Sequence, residues 1–392
     1  MKRTILTNTH VVTPDADFDG AVVIEDGKIA EVVPRGQYRE GIDLKGSWLI
    51  PGLIDLHSDY LEREIKPRPT ASFPLSMALH HADMRAIGSG LTTVVSCARF
   101  SSDGDKNSAL GTDCITGSKD VAALQPDCMA RHFIQARWDT NFTGAESLLE
   151  EMLDLPIVKM VVYNESIPGQ RQFRDLDSQA ALRSARRGIS SDEAKAELEK
   201  EIEEKMGLNN RPDVYRMLKG RTLIGSHDDT TVDHVLEAVQ YGATLSEMPT
   251  TIEAARKAKE LGLWVCMGAP NYVRGGSSYN NLSCAEAMAE DLVDALCSDY
   301  HYPSMLTAVV MMMQAGMTPS KAVNYVTLGA ARCLDMADDY GRIAEGKVAD
   351  LIAFDVVGQF GKVRQVWVDG QVRFMCPHVG QGIVLESMEA AD

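Results

Sequence analysis

The sequence predicts an α/β fold, a (β/α)8 TIM barrel with a small β-sandwich domain built from both chain ends. Three observations predict this fold. Both ends read as short β segments around Asp-Gly turns, and eight short apolar runs alternate with helical stretches between them. The 392 residues also exceed the roughly 250–300 that one core usually holds. We therefore expect the small domain over 1–50 and 341–392, and the barrel over 51–340.

The two ends of the chain share one pattern of β-favouring residues around tight turns. Near the N-terminus AVVIEDGKIAEVV turns at Asp26-Gly27, and near the C-terminus KVRQVWVDGQVRFM turns at Asp369-Gly370. An Asp-Gly pair between apolar runs indicates a two-residue hairpin, because both central residues of such a turn need a positive φ. The segment GRIAEGKVADLIAFDV has the same texture, so we expect both ends to join in one domain.

Eight short, largely apolar runs lie between the two ends. They are LIDLHSD, TTVVSCA, HFIQARWD, VKMVVYNE, TLIGSHDD, ATLSEMP, WVCMGAPN and VDALCSDY. Such runs are typical of parallel strands buried on both faces, and their alternation with helical segments predicts a barrel.

Extra length between the fourth and fifth runs predicts a helical insertion near 184–219. Its segment SSDEAKAELEKEIEEKMGL begins with a capping pattern and carries alternating charges, which indicates an exposed helix. The sequence leaves open whether this helix is a solvated insertion or a lid over the barrel mouth.

Charge and composition exclude several classes of protein. The 39 basic and 56 acidic residues give a net charge of −17, which disfavours nucleic-acid and anionic-membrane partners because both require a positive field. The N-terminus lacks the apolar core of a signal peptide, and MLTAVVMMM (305–313) is too short to span a bilayer, so we expect a cytoplasmic protein. Eight scattered cysteines without a CxxC pair are expected to be reduced core residues.

Polar or charged residues end seven of the eight runs. In a (β/α)8 barrel the carboxyl ends of the strands surround one mouth, so these side chains are expected to converge. Grouped carboxylates resist ionisation without a nearby cation, and imidazole mixed with carboxylate suits Zn2+ or Mn2+. We expect one or two such ions. The expected ligands are His57, Asp59, Asp139, Glu165, His227, Glu247 and Asp299. A salt bridge to Arg137 or to a neighbouring helix would also explain Asp139 and Glu247.

Several strings resemble the amidohydrolase superfamily. PGLIDLH, the β-rich segment before it and GRIAEGKVADLIAFD are typical of that superfamily, over nearly the whole chain. Four strings are further similar to the alpha-D-ribose 1-methylphosphonate 5-triphosphate diphosphatase family. They are PGQRQF (168–173), SHDD (226–229), MGAPNYVRGGS (267–277) and CSDYHYPSML (297–306).

This resemblance implies a hydrolase of phosphonate catabolism that releases pyrophosphate from a ribose 5-triphosphate bearing a 1-methylphosphonate. His57-x-Asp59 matches the diphosphatase family, where many superfamily members have His-x-His. Two motifs depart from the family. Its His-x-Arg-x-Glu is QARWD (135–139) here, and its Asp-His-Ser-Pro-Gly-Gln is NESIPGQ (164–170). A paralogue with altered specificity is therefore an alternative.

The chemistry of such a hydrolase suggests roles for individual residues. A metal ion lowers the pKa of a bound water to about 7, and Asp299 is the expected acceptor of its proton. Arginine suits phosphate oxygens, and paired glycines let backbone N–H groups approach an anion. The expected substrate-binding residues are Arg68, Arg171, Arg174, Arg274, Gly275 and Gly276. In an acidic chain, arginines also pair with surface carboxylates.

Two rival functions stay open from the sequence. The first is another amidohydrolase reaction on a related phosphorylated substrate, carried out by a cyclic amidase, a deacetylase or a deaminase. The second is a metal-free, non-catalytic paralogue. The expected partner is a small phosphorylated sugar, with no nucleic acid and no membrane, and homo-oligomer formation is left open.

Overall fold

The computed structural model describes residues 3–38, 40–68, 70–100, 110, 113–277 and 279–377. The strands are β1 Arg3–Val12, β2 Asp17–Glu25, β3 Lys28–Pro34, β4 Ile42–Asp43, β5 Trp48–Pro51, β6 Leu53–Ser58, β7 Leu91–Phe100, β8 Arg131–Asp139, β9 Val158–Asn164, β10 Leu223–His227, β11 Leu245–Glu247, β12 Trp264–Gly268, β13 Ala295–Cys297, β14 Leu351–Val357, β15 Phe360–Val368 and β16 Gln371–Met375. The helices are α1 Tyr60–Ile65, α2 Leu75–Gly88, α3 Cys114–Leu124, α4 Glu146–Leu153, α5 Leu176–Arg187, α6 Ser191–Lys205, α7 Arg211–Leu218, α8 Val232–Gln240, α9 Ile252–Glu260, α10 Ala269–Arg274, α11 Cys284–Ala289, α12 Pro303–Gln314, α13 Pro319–Asn324 and α14 Leu328–Cys333.

The eight apolar runs form the parallel barrel that the sequence predicts. Strands β6 to β13 pair in sequence order, each with its neighbour. A parallel bridge between Ser58 and Asp299 then joins β13 to β6 and nearly closes the barrel. Every residue of β6 is buried, as expected for a strand covered on both faces. The carboxyl ends of the strands therefore share one mouth.

The terminal strands form a separate mixed sheet, which confirms that both chain ends join. Its order is β16-β15-β14-β5-β1-β2-β3, with β4 paired to β1. Asp26, Gly27, Asp369 and Gly370 all have positive φ, between 48° and 82°, so both Asp-Gly hairpins are confirmed. Residues from both ends of the chain pack into a common apolar core that includes Leu6 and Trp367.

The helical insertion lies between β9 and β10. It consists of α5, α6 and α7 and starts at Leu176, earlier than the predicted boundary, because Asp175 caps α5 through the N–H of Asp177. Ser190 caps α6 by accepting from the N–H of Glu193, as its capping pattern indicates. At the other end of α6, the Lys205 ammonium donates to the Ser166 carbonyl at 3.1 Å. This contact connects α6 to the loop after β9. A lid role for the insertion stays a prediction.

Apolar side chains lie mostly inside the fold. All eight cysteines are free and six are buried, in agreement with the prediction of core residues. The apolar helix α12 packs with most of its side chains in the largest core cluster. Among the described residues, no helix is long and apolar enough to cross a bilayer.

A buried ion pair connects the barrel to the terminal sheet, and we expect its loss to destabilise the chain. Arg131, at the start of β8, donates to Asp350 at 3.1 Å and also to Asp369. The Asp350 side chain is 6% exposed, so Asp350→Ala leaves the guanidinium without its buried partner. We expect the free energy of unfolding in urea to fall by about 3–5 kcal/mol.

Asp154→Ala provides the matched control, because that carboxylate is 72% exposed in its pair with Arg221. Its removal should change the free energy of unfolding by less than about 1 kcal/mol. Equal effects of the two substitutions would show that the Arg131 contact does not stabilise the fold.

Candidate metal centre

A buried chain of hydrogen bonds crosses the barrel near the carboxyl ends of its strands. The Cys97 thiol donates to Gln135 Oε1 at 3.0 Å, and Gln135 Nε2 donates to Glu247 Oε1 at 2.6 Å. The other oxygen of Glu247 lies 3.0 Å from His57 Nδ1. Each residue comes from a different strand, so the barrel itself fixes their spacing.

His227 has the environment of a metal ligand. Its ring lies 5.2 Å from the His57 ring between centroids, and both of its ring nitrogens are buried without a hydrogen-bond partner. The Asp228 carboxylate is 2.8 Å from Nδ1 but outside hydrogen-bond geometry. Ligand atoms of His57, His227 and Glu247 lie within 4.8 Å of one another. Because unpaired buried nitrogens are costly, this donor set fits a divalent cation.

The charge balance of this group also fits a cation. Burial alone would lower the pKa of His57, but the contacts to Cys97 and to the Glu247 carboxylate outweigh burial and raise that pKa well above its usual value. Glu247 has no exposed side-chain surface and so needs a positive charge beside it. Either a proton on His57 or a divalent ion supplies such a charge, and binding of the ion releases the proton.

Asp59 lies beside this group and pairs with an arginine. Arg137 Nη1 is 3.3 Å from Asp59, and this charge lowers the pKa of Asp59 although burial would raise it. Ligand atoms of His57, Asp59 and Cys97 form a second group within 4.8 Å. Burial raises the pKa of the Cys97 thiol to about 12, which keeps the thiol protonated unless a cation binds it.

Asp299 closes the barrel and faces the same cavity as Asp59. Its N–H donates to the His57 carbonyl at 3.1 Å, and its carbonyl accepts from the N–H of Asp59 at 2.6 Å. These bonds hold Asp299 at a φ of 54°, a conformation that Asp and Asn adopt more readily than other side chains. Burial raises the pKa of its carboxyl, although the nearby histidines oppose the rise.

Asp139 and Glu165 lie outside these two groups. One oxygen of Asp139 accepts from the N–H of Asn141 at 3.2 Å, and the other is buried without a partner. Glu165 pairs with Arg171 at 2.7 Å and with Arg211 at 3.5 Å. Burial would raise the pKa of Glu165, but these two guanidinium groups lower it. Glu165 therefore forms ion pairs with two arginines, and its predicted role as a metal ligand stays a prediction.

Arg171 is buried under the cavity, and we expect its substitution to affect stability more than substrate affinity. Its side chain is 3% exposed and donates to Glu165, to Asp229 at 3.1 Å and to the His227 carbonyl at 3.0 Å. Arg171→Met would leave the buried Asp229 carboxylate without its cation and Glu165 with Arg211 alone. We expect about 3–5 kcal/mol lower free energy of unfolding, measured in urea.

The exposed Arg174 donates to Asn281 at 3.0 Å and offers a control on the same loop. Arg174→Met should change stability by less than about 1 kcal/mol. If Arg171→Met leaves stability intact and raises KM instead, the placement of Arg171 as a buried structural cation is wrong.

A cavity of about 600 Å3 opens at the mouth of the barrel. Its charged lining residues are Asp59, Glu62, Arg63, Lys66, Asp228, Arg274 and Asp299. Arg63 and Lys66 follow Asp59 by four and seven residues on and just after α1, a helical spacing that could have revealed them in the sequence.

The remaining expected substrate-binding residues have other surroundings. Arg68 is exposed and is not among the cavity-lining residues. Gly276 lines the cavity, but its N–H donates to the Asn271 carbonyl at 2.9 Å, and the N–H of Gly275 donates to Tyr272 at 3.1 Å. Both N–H groups therefore cap the end of α10, and neither is left to bind an anion in this structure.

A further group of Asp83, Cys128 and His132 lies away from the mouth, at the start of β8. Asp83 accepts from the N–H groups of Met129 and Ala130 and contacts His132 Nε2 at 3.0 Å. These hydrogen bonds tie α2 to β8, which gives the group a structural explanation.

Imidazole and carboxylate groups gathered at the carboxyl ends of a (β/α)8 barrel define the class of metal-dependent barrel hydrolases. The sequence model of the amidohydrolase family matches residues 48–373 of the chain. The chain therefore belongs to the amidohydrolase family, whose members typically depend on divalent metal ions, and it is a hydrolase of that family.

Known proteins of the family show a graded similarity to the chain. The alpha-D-ribose 1-methylphosphonate 5-triphosphate diphosphatase of Escherichia coli is 30% identical over 379 residues, covering 94% of this chain and 99% of the relative. An imidazolonepropionase of Symbiobacterium thermophilum is 23% identical, covering 85% and 83%. The structure of N-acetylglucosamine-6-phosphate deacetylase from Pasteurella multocida has a TM-score of 0.61 at 13% identity, covering 95% and 100%. This last likeness shows the shared fold.

Proposed function

We propose that the chain hydrolyses alpha-D-ribose 1-methylphosphonate 5-triphosphate to the 5-phosphate and pyrophosphate. The similarity to the Escherichia coli diphosphatase over nearly the full length of both chains supports this substrate. The observation that carries the proposal is that Asp59, whose ligand atom lies within 4.8 Å of that of His57, lines one cavity with three cationic side chains. A triphosphate needs both a metal ion and such cations, because charge grows on its leaving phosphates as the bond breaks.

The ion is proposed to be Zn2+, with Mn2+ as the alternative, held by His57, His227 and Glu247. When bound, a divalent ion supplies a charge that lowers the pKa of a water molecule to about 7. Asp59 and the Arg137 that pairs with it complete the charged surroundings of this group. If the site holds two ions, Asp59 is proposed as a ligand of the second ion.

Asp299 is proposed to accept the proton from the attacking water. The water oxygen forms a bond to the phosphorus nearest the ribose, and the bond from that phosphorus to the bridging oxygen breaks. The bond's electron pair leaves on pyrophosphate, and the proton stays on Asp299. The raised pKa of the buried Asp299 carboxyl suits proton transfer, because a general base works best with a pKa nearer the operating pH.

A substrate panel tests this function. The metal-loaded enzyme would be incubated with the ribose triphosphate, a dihydropyrimidine, an imidazolone and an N-acetylated sugar phosphate. We expect pyrophosphate and the 5-phosphate, identified by mass, from the triphosphate alone. Ring opening or deacetylation without pyrophosphate release would assign another amidohydrolase reaction. A purified protein without metal and without any of these activities would indicate a non-catalytic paralogue.

A further inference from the structure

Three cations and one tyrosine lie together on the wall of the cavity. Arg63 is on α1, Lys66 follows that helix, and Arg274 ends α10. Tyr300 lies between the two arginines, because the Arg63 guanidinium is 4.8 Å from the ring centroid and Arg274 Nη1 donates to the hydroxyl at 3.1 Å. We call Arg63, Lys66, Arg274 and Tyr300 the cationic rim.

The rim is unusual in a chain with a net charge of −17. Exposed arginines elsewhere in the barrel, such as Arg85 and Arg256, pair with a carboxylate. Within the described part of the chain, neither Arg63 nor Lys66 has a carboxylate oxygen within 4.0 Å. Instead, the Arg63 guanidinium makes a cation–π contact with the face of the Tyr300 ring, and this contact fixes its orientation.

The rim lies directly beside the proposed reaction centre. Tyr300 follows Asp299 in the sequence, and Arg63 and Lys66 follow Asp59, so the same elements carry both groups. The strand-end carboxylates Asp59, Asp228 and Asp299, together with Glu62, line the same cavity as the basic rim. A chain of phosphates offers enough oxygens to contact both the rim and a cation held near Asp59, whereas a single phosphate offers fewer such contacts.

From this arrangement we infer that the cationic rim binds the two outer phosphates of a triphosphate and selects against monophosphates. This inference rests on the proposed function for its reacting phosphate. Arg63 and Arg274 present planar donors to phosphate oxygens, Lys66 adds a point charge, and Tyr300 holds the two arginines apart. The rim therefore selects substrates by their number of phosphates, and the metal-ligand group determines which bond is cut.

Binding of inorganic tripolyphosphate and orthophosphate to the metal-loaded enzyme tests the rim by calorimetry. Metal content would be measured after each titration, because tripolyphosphate also chelates metal. The variants are Arg63→Gln, Lys66→Gln and Arg274→Gln. Arg85→Gln is the matched control, because Arg85 is an exposed arginine that pairs with Glu64 at 3.2 Å.

We expect each rim substitution to weaken tripolyphosphate binding about 10- to 100-fold, as typical for loss of one charge-assisted hydrogen bond, and orthophosphate binding less than about 3-fold. Arg85→Gln should leave both affinities unchanged. With the ribose triphosphate, Arg63→Gln should raise KM more than it lowers kcat. A structural role for Arg63 would not separate the two constants in this way.

Two results would overturn the inference: unchanged tripolyphosphate affinity in all three rim variants, or a wild-type enzyme that binds tripolyphosphate no better than orthophosphate. Failure of the proposed function is a separate result. An enzyme that cuts no ribose triphosphate, yet loses tripolyphosphate binding in the rim variants, would refute the function and support the rim.

Discussion

Replacing Asp299 with asparagine should reduce turnover by about 100- to 10,000-fold and leave metal content nearly unchanged. The carboxylate is the proposed proton acceptor, and an amide of the same shape cannot take up that proton. Asparagine also tolerates the φ of 54° at this position, so the backbone bonds between residue 299 and β6 should persist. The measurements are kcat, with pyrophosphate detection, and metal content by mass spectrometry.

Asp228→Asn is the matched control for Asp299→Asn. Asp228 also lines the cavity and also has a positive φ, 58°, but it has no proposed part in proton transfer. We expect a much smaller loss of kcat in that variant. Near-normal turnover of Asp299→Asn would exclude Asp299 as the base.

His227→Ala should weaken metal binding by at least about 100-fold and abolish activity with it. Neither ring nitrogen of His227 makes a hydrogen bond, so the metal-free fold loses none when the imidazole is removed. Loss of the 2.8 Å contact to Asp228 and the cavity left by the buried imidazole should lower the melting temperature of the metal-free protein, but the diagnostic result is that the rise in melting temperature on adding metal disappears. At 100-fold excess over the dissociation constant, that rise corresponds to about 2.7 kcal/mol of stabilisation in the wild-type protein.

His81→Ala is the control for His227→Ala, because His81 is exposed on α2. It should retain both the metal and the metal-dependent rise in melting temperature. If His227→Ala binds metal as the wild-type protein does, the imidazole is not a ligand.

Much of the fold could be predicted from the sequence because its signals are local. Short apolar runs give the strands, and Asp-Gly pairs give hairpins whose φ values the structure confirms. The insertion boundary was less predictable. The sequence marks the start of α6 with a clear capping pattern, but α5 begins with a mixed segment whose apolar side chains pack against α6 only in the folded chain.

The candidate site was predictable where a residue ends a strand and obscure where it lies inside one. His57, His227 and Glu247 end their runs, so their position alone suggested the barrel mouth. Cys97 and Gln135 lie within buried strands, where a cysteine or a glutamine resembles ordinary core. Their roles depend on contacts across strands, which the local sequence does not encode.

The arginines show the same limit most clearly. PGQRQF placed Arg171 in a loop at the mouth, as a phosphate ligand would be. In the structure its carboxylate partners are Glu165, six residues away, and Asp229, 58 residues away, and together they bury it. No motif marks Arg63 in the sequence, where its four-residue spacing from Asp59 is the one available signal, and its contact with Tyr300 shows its position at the cavity.

Anomalous diffraction from crystals of the purified protein, recorded at the absorption edge of the bound metal, tests the central claim most directly. We expect an ion within about 2.3 Å of a nitrogen of His57, a nitrogen of His227 and a carboxylate oxygen of Glu247. An ion bound elsewhere, such as at Asp83 and His132, or a fully active enzyme without any ion, would contradict the proposed metal centre.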